Sequence, residues 1–390
     1  MELQKTISKA RLYGLFTFTL FLGTTSCSSD DDNAITIDDD NVTPVEERNL
    51  PTQLTQYLDE NQSDTDPGLS ILIKHQGTVL YQHNKGLARL QGNHQIHEHT
   101  GFRIASITKP FTAIAIMQLV EQNLISLDDT LLEILPELPS SFENITISHL
   151  LSHRSGLLDY IDDNDDLSTL DGLTVSQIPL IIPGSGLNNL LFEPGTDSEY
   201  SNTAYVFLAL IIEKITGMSY PNFMKTSIFD PVGMPNSFVI SENAHLGDLN
   251  NDYALSFGNS IKVLGFDSLI YGANGIVSST HDLGLFVEAL LDYTIISEES
   301  LNLMITVQSS LEGIADYGFG WMTGTGQYEH TGVFTDPNDF WHTGGFDGYR
   351  SILSINPDLD LQVILLTNNG DDGQQKMFDI FRLTRAYLKK

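Results

Sequence analysis

The chain has 390 residues, 41 % of them hydrophobic, with 31 Gly and 14 Pro, a composition that supports a sizeable globular core. Its 51 Asp and Glu against 19 Lys and Arg give a formal net charge of −32. Such a surface lacks the basic face that phosphate binding requires, so no nucleic acid is expected as a partner, and the acidity reads as solvation.

At the N-terminus, Lys5, Lys9 and Arg11 precede the apolar run Leu12 to Leu22, and small residues lead on to Cys27. That order is the order of a secretory signal. The run is shorter than the roughly 20 apolar residues that a membrane-spanning helix needs. Cys27 is the only cysteine, which rules out an intramolecular disulfide, and it stands where a bacterial lipoprotein signal is cut, with Thr24 in place of the usual Leu. The expectation is a signal peptide over residues 1–26, lipidation at Cys27, and export to the cell envelope as an outer-membrane lipoprotein facing the periplasm or the surface. Residues 27–48 are rich in acids and poor in aliphatics, and read as a disordered tether. A single folded domain is expected over residues 49–390.

From Leu69, two β-type runs flank His75-Gln-Gly-Thr78 and predict a hairpin. Residues 104–122 are apolar on nearly every face, which predicts a helix buried in the interior. Helical stretches such as Ala204 to Thr216 and Leu283 to Leu291 then alternate with Gly/Pro/Asn loops. Strands are predicted at Tyr317 to Met322, Phe340 to Thr343, Tyr349 to Ile355 and Leu361 to Leu366, followed by an amphipathic helix from Gln375 to Leu388. Strands at both ends with helices between predict an α/β fold. Its antiparallel sheet is built from both chain ends and flanked by helices, with an inserted all-α subdomain.

The chemistry begins with Ser106-Ile-Thr-Lys109. A hydroxyl is a poor nucleophile until a neighbouring base takes its proton, and i to i+3 spacing puts both side chains on one helix face. At a helix N-terminus the serine also lies beside unpaired backbone N–H groups and the positive end of the dipole. Pro110 disfavours α geometry at Lys109, yet proline is tolerated in a first helical turn. A loop then carries Tyr200-Ser-Asn202 into the helix from Ala204. A second Tyr-x-Asn, Tyr220-Pro-Asn222, reads as a helix start with proline at its first turn. The third element is His342-Thr343-Gly344-Gly345, where paired glycines at a strand edge let a substrate approach the backbone. His330-Thr331-Gly332 leads into a turn and reads as structural. The acidic run Asp159 to Asp166 reads as a solvated surface turn, with a segment bordering the cleft as the alternative.

The order S-x-x-K, Y-x-N, H-T-G resembles the serine β-lactamase/penicillin-binding-protein superfamily, in its class C, DD-carboxypeptidase and esterase branch. Segments between the motifs agree, among them Phe102 to Ser106, Ile147 to Leu157, Glu193 to Gly195, Gly272 to Gly275 and Tyr317 to Trp321, and the similarity spans residues 50 to 385. The resemblance implies a β-lactamase/transpeptidase-like fold with the site between sheet and helical domain, and needs no metal or cofactor. It implies acylation at Ser106, proton transfer through Lys109 and Tyr200, and a substrate amide held by Asn202. His342 would assist proton return or leaving-group binding, Thr343 and Gly344 would contact substrate, and backbone N–H groups of Ser106 and Gly345 would form the oxyanion hole. Class C enzymes usually carry Lys where His342 stands, which favours a D-alanyl-D-alanine carboxypeptidase-like hydrolase, or one of related amides and esters, over a β-lactamase. Its expected substrates are small peptides, amides or esters, peptidoglycan stem peptides among them. The competing reading is a non-catalytic surface binding protein that retains the fold.

Overall fold

The computed structural model describes residues 49–159, 190–240, 253–255, 270–327, 330, 332–346, 348–370 and 372–389. The expected signal peptide, Cys27 and the tether lie outside them, as does the acidic run after Asp159.

The predicted hairpin forms from Leu69–His75 (β1) and Thr78–Lys85 (β2). Gln76 and Gly77 turn between them at φ 51° and 67°, the left-handed pair that a two-residue loop needs to match strand twist. Six later strands complete the sheet: Ser309–Leu311 (β3), Ala315–Tyr317 (β4), Met322–Thr323 (β5), Phe340–Phe346 (β6), Tyr349–Asn356 (β7) and Leu361–Thr367 (β8). The order is β2-β1-β8-β7-β6-β5-β4-β3. Every neighbouring pair is antiparallel, and β1 pairs with β8 from Leu69↔Thr367 to His75↔Leu361, so the two chain ends build one sheet as predicted.

Helices α1 (Leu50–Asn61), α2 (Thr108–Glu121), α3 (Ile147–Leu151), α4 (Asn202–Thr216), α5 (Thr280–Leu291), α6 (Glu298–Ile305) and α7 (Gly373–Leu388) account for most of the rest. Side chains alternate across the sheet into two cores. Val363, Leu365, Ile352 and Trp341 pack on Leu50, Leu54 and Leu58 of α1 and on Phe378 and Phe381 of α7. Ile364, Leu366, Leu353 and Phe340 face the core around α2, α4 and α5. The α1 leucines recur every fourth residue on one helix face and are fully buried, each contributing roughly 1.5–3 kcal/mol. α2 is buried on all faces from Thr108 to Met117, as its sequence predicts.

Two expectations need correction. The inserted region is not all helical, because Phe102–Arg103, Ile276–Ser278 and Phe238–Val239 form a small antiparallel sheet, too short to show a period-2 pattern. The strand predicted from Tyr317 to Met322 is broken between β4 and β5. There the chain dips onto the helices: a Cβ on Gly318 would lie 2.0 Å from the Met304 carbonyl oxygen, and one on Gly320 would lie 2.6 Å from Ala113 Cβ. β6, in turn, runs through both glycines to Phe346, three residues beyond its predicted end.

Candidate active site

Ile104 N–H donates to the Ile276 carbonyl at 3.0 Å, which anchors the small sheet just before Ser106. Ala105 then takes φ 50°, a left-handed conformation that costs a residue with a Cβ about 1 kcal/mol. A single 3-10 turn, Ala105–Ile107, carries the serine, and α2 starts at Thr108. Pro110 therefore falls in the first turn of α2, which removes the conflict with Lys109.

Lys109 is fully buried. Its Nζ donates to Ser106 Oγ at 3.2 Å, Asn202 Oδ1 at 2.7 Å and the Ala273 carbonyl at 3.1 Å. An ammonium has three N–H donors, and here each meets a neutral acceptor. The Ala273 contact belongs to Gly272-Ala-Asn-Gly275. Gly272 adopts φ 83°, and a Cβ there would lie 2.1 Å from the Tyr205 carbonyl oxygen, so this loop is pressed against α4.

Tyr200 and Asn202 reach Lys109 together because Ser201 between them is extended, with φ −139° and ψ 114°, and residues two apart on extended backbone point to one side. Ser201 also caps α4, its Oγ accepting from Ala204 N at 3.2 Å. The Tyr200 ring centroid lies 4.8 Å from Lys109 Nζ and 4.4 Å from the ring of His153. His153 Nδ1 accepts from Ser201 N at 3.1 Å. Burial, then the nearby Lys109 and His342, hold this imidazole well below its ordinary pKa. His153 and Tyr317 stand in the sequence only within longer similar segments, yet their rings pack 4.5 Å apart, with His153 against Tyr200.

His342 is fully buried on β6. Its Nδ1 faces the Thr343 carbonyl at 2.7 Å and its Nε2 faces Tyr317 Oη at 3.2 Å. A carbonyl only accepts, so Nδ1 carries the hydrogen and Nε2 takes the tyrosine proton. Burial, with Lys109 adding to it, pushes the ring down to about 3. Both ring nitrogens of His342 are thus engaged within the protein.

That burial carries a stability signature. Above about pH 6.5 a histidine is neutral folded or unfolded. Below that, the unfolded chain binds a proton here that the folded chain refuses until about pH 3, so stability falls on acidification across this window. The slope is up to about 1.4 kcal/mol per pH unit, and His153 adds to it in the same direction. His342→Gln is expected to lose stability less steeply than the parent between pH 3 and 6.5 when thermal midpoints are compared. Parallel slopes would contradict the neutral buried ring.

A Cβ on Gly344 would lie 2.3 Å from the Ile104 carbonyl oxygen and 2.3 Å from Ser351 Oγ. Gly344 is thus the point where β6 packs against the Ser106 turn. Thr343, Gly344 and Gly345 together line a cavity of about 410 Å³ with Arg350, Gln374 and Met377. The rejected motifs prove structural. Tyr220 begins a short helix with Pro221 in its first turn and bonds Thr112, while His330 packs on Phe334 and Trp341.

Asp159 is a further correction. It is 6 % exposed, not a solvated turn residue, and its Oδ2 accepts from Asn202 N at 2.6 Å and Asn202 Nδ2 at 2.9 Å. The Asn202 nitrogen expected to reach a substrate carbonyl is therefore turned toward Asp159.

An antiparallel sheet with a helical insertion, and a serine held against a buried lysine between them, define a serine hydrolase of β-lactamase fold. A family model described as Beta-lactamase matches residues 55–386, and the chain belongs to that family. It is 32 % identical to penicillin-binding protein 4* of Bacillus subtilis, over 78 % of this chain and 69 % of that protein. Protein flp of Staphylococcus aureus (strain MRSA252) is 25 % identical over 80 % of this chain, which spans 62 % of flp's length. Among solved structures, the octameric penicillin-binding protein homologue from Pyrococcus abyssi superposes with a TM-score of 0.70 at 26 % identity, covering 86 % of this chain and 77 % of that one.

Proposed function

We propose that the chain is a D-alanyl-D-alanine carboxypeptidase-like hydrolase that forms an acyl-enzyme on Ser106. The observation that carries this reading is the placement of Lys109 Nζ, 3.2 Å from Ser106 Oγ, with Asn202 Oδ1 and the Ala273 carbonyl accepting its other hydrogens. In the neutral amine those two acceptors hold two N–H groups, which leaves the lone pair facing the serine hydroxyl. Ser106 Oγ gives its proton to Lys109 Nζ and bonds to the substrate carbonyl carbon. Backbone N–H groups of Ser106 and Gly345 hold the resulting oxyanion, each worth about 3 kcal/mol in comparable sites. Collapse expels the amine, which takes a proton from Lys109, with Tyr200 over that amine as relay. Water then repeats the sequence on the ester and frees the acid. A terminal peptide is favoured over an efficient β-lactam turnover by His342, which leaves no cation at the position where β-lactamases of this branch usually place lysine.

A chromogenic cephalosporin, a p-nitrophenyl ester and a diacylated Lys-D-Ala-D-Ala peptide assayed side by side test the substrate class. Turnover is expected to be highest on the peptide and absent throughout in Ser106→Ala. Activity surviving that substitution would contradict the assignment of Ser106, and no turnover of any of the three would favour the binding-protein reading. Anchoring through a lipid on Cys27 belongs to the same proposal, and Cys27→Ser is expected to release the chain from membranes.

A further inference from the structure

We propose that Asp159 is a positioning residue of this site: it fixes which way round the Asn202 amide stands, and so presents an oxygen, not an NH2 group, to Lys109. The inference rests on the acyl-enzyme reading of Ser106 and Lys109.

The two ends of an asparagine amide have nearly the same shape and opposite hydrogen-bonding character, so partners alone decide its orientation. An ionised carboxylate only accepts. Asp159 Oδ2 accepts from Asn202 Nδ2 at 2.9 Å, which turns Oδ1 toward Lys109 Nζ at 2.7 Å. The same oxygen accepts the backbone N–H of Asn202 at 2.6 Å, so one atom grips main chain and side chain of a single residue. Next to it, Thr203 Oγ1 donates to the Leu158 carbonyl at 2.8 Å and ties this segment to the first turn of α4. Helix capping accounts only for the bond to the Asn202 backbone N–H; Ser201 Oγ already accepts from Ala204 N, and the bond to Asn202 Nδ2 is no part of a cap. With the amide reversed, an NH2 group would meet the lysine hydrogens, and the lone pair would leave the serine to find an acceptor role with Asn202. Asp159 thus sets the geometry of the proton acceptor through the Asn202 amide.

The test measures the rate at which the full chain is labelled by a fluorophosphonate probe, with thermal midpoints recorded in parallel. Asp159→Leu keeps the shape and removes the acceptor, and is expected to slow labelling by about tenfold or more. Asp159→Asn still offers an oxygen to both donors and is expected to keep the rate within about threefold of the parent. On an Asn202→Ala background, Asp159→Leu is expected to add no further loss, because its effect passes through that amide. Parental labelling in Asp159→Leu, or a full additional loss in the double variant, overturns the proposal. Should Asp159→Leu not fold, the exchange Asn202→Asp with Asp159→Asn takes its place. There the second substitution is expected to recover labelling lost to two facing carboxylates, and no recovery overturns the proposal. A parent chain that takes up no probe contradicts the acyl-enzyme reading instead.

Discussion

Lys109→Met is expected to lower the rate of Ser106 acylation by about 10³-fold or more, the scale of a lost general base at an unactivated hydroxyl. Methionine has a similar length and removes a buried amine, but leaves Asn202 Oδ1 and the Ala273 carbonyl without that donor. Each unmet acceptor costs about 1–3 kcal/mol, partly offset because no amine is buried, so the fold survives with a lowered thermal midpoint. Lys109→Arg is the more demanding variant. It preserves positive charge and donors, yet a guanidinium does not give up its proton near neutral pH, so it is expected to be as inactive as methionine. Covalent labelling rates measured on both variants check this. Substantial labelling in Lys109→Arg would mean that charge alone, not proton acceptance, is what Lys109 supplies.

Gly344→Ala carries the second large effect. The new Cβ would meet the Ile104 carbonyl oxygen and Ser351 Oγ at 2.3 Å, and Ala105 Cβ at 3.1 Å. Two of these three neighbours belong to the turn that presents Ser106, so β6 and the nucleophile are forced apart. A displacement of about 1 Å costs on the order of 10²-fold in rate, and overpacking of this kind costs about 1–3 kcal/mol in stability. Gly345→Ala is the control, since its nearest new contacts are Arg350 side-chain atoms at 3.5 and 3.6 Å, ordinary packing distances against a flexible group. It is expected to keep parental stability. Labelling rates and thermal midpoints of the pair decide the matter, and equal losses at both positions would contradict the steric account of Gly344.

Much of this was legible in the sequence where local pattern governs. The β1–β2 hairpin follows from two β-type runs around Gln76-Gly77, and Ser106 with Lys109 from helical spacing at the head of an apolar segment. Tyr200 and Asn202 were legible as a Tyr-x-Asn pair in the loop before an apolar helix, and the extended Ser201 brings them to one side. What stayed hidden depends on contacts distant in sequence. Asp159 reaches Asn202 across 43 residues and looked like the start of an acidic surface run. The Ala273 carbonyl reaches Lys109 across 164 residues, and a backbone oxygen leaves no mark in residue type. His342 was identified by its motif, while its lowered pKa comes from burial and from the nearby Lys109, neither of which the His-Thr-Gly motif encodes. Gly344 was read as letting a substrate approach the backbone, and the room it makes for the Ile104 carbonyl depends on a contact distant in sequence.

Intact-protein mass spectrometry after incubation with a panel of peptide, β-lactam and ester acyl donors tests the central claim most directly. The account predicts a single acyl adduct, mapped to the peptide containing Ser106, absent from Ser106→Ala and formed far more slowly in Lys109→Met. An adduct on any other residue, or one that persists in Ser106→Ala, would contradict it.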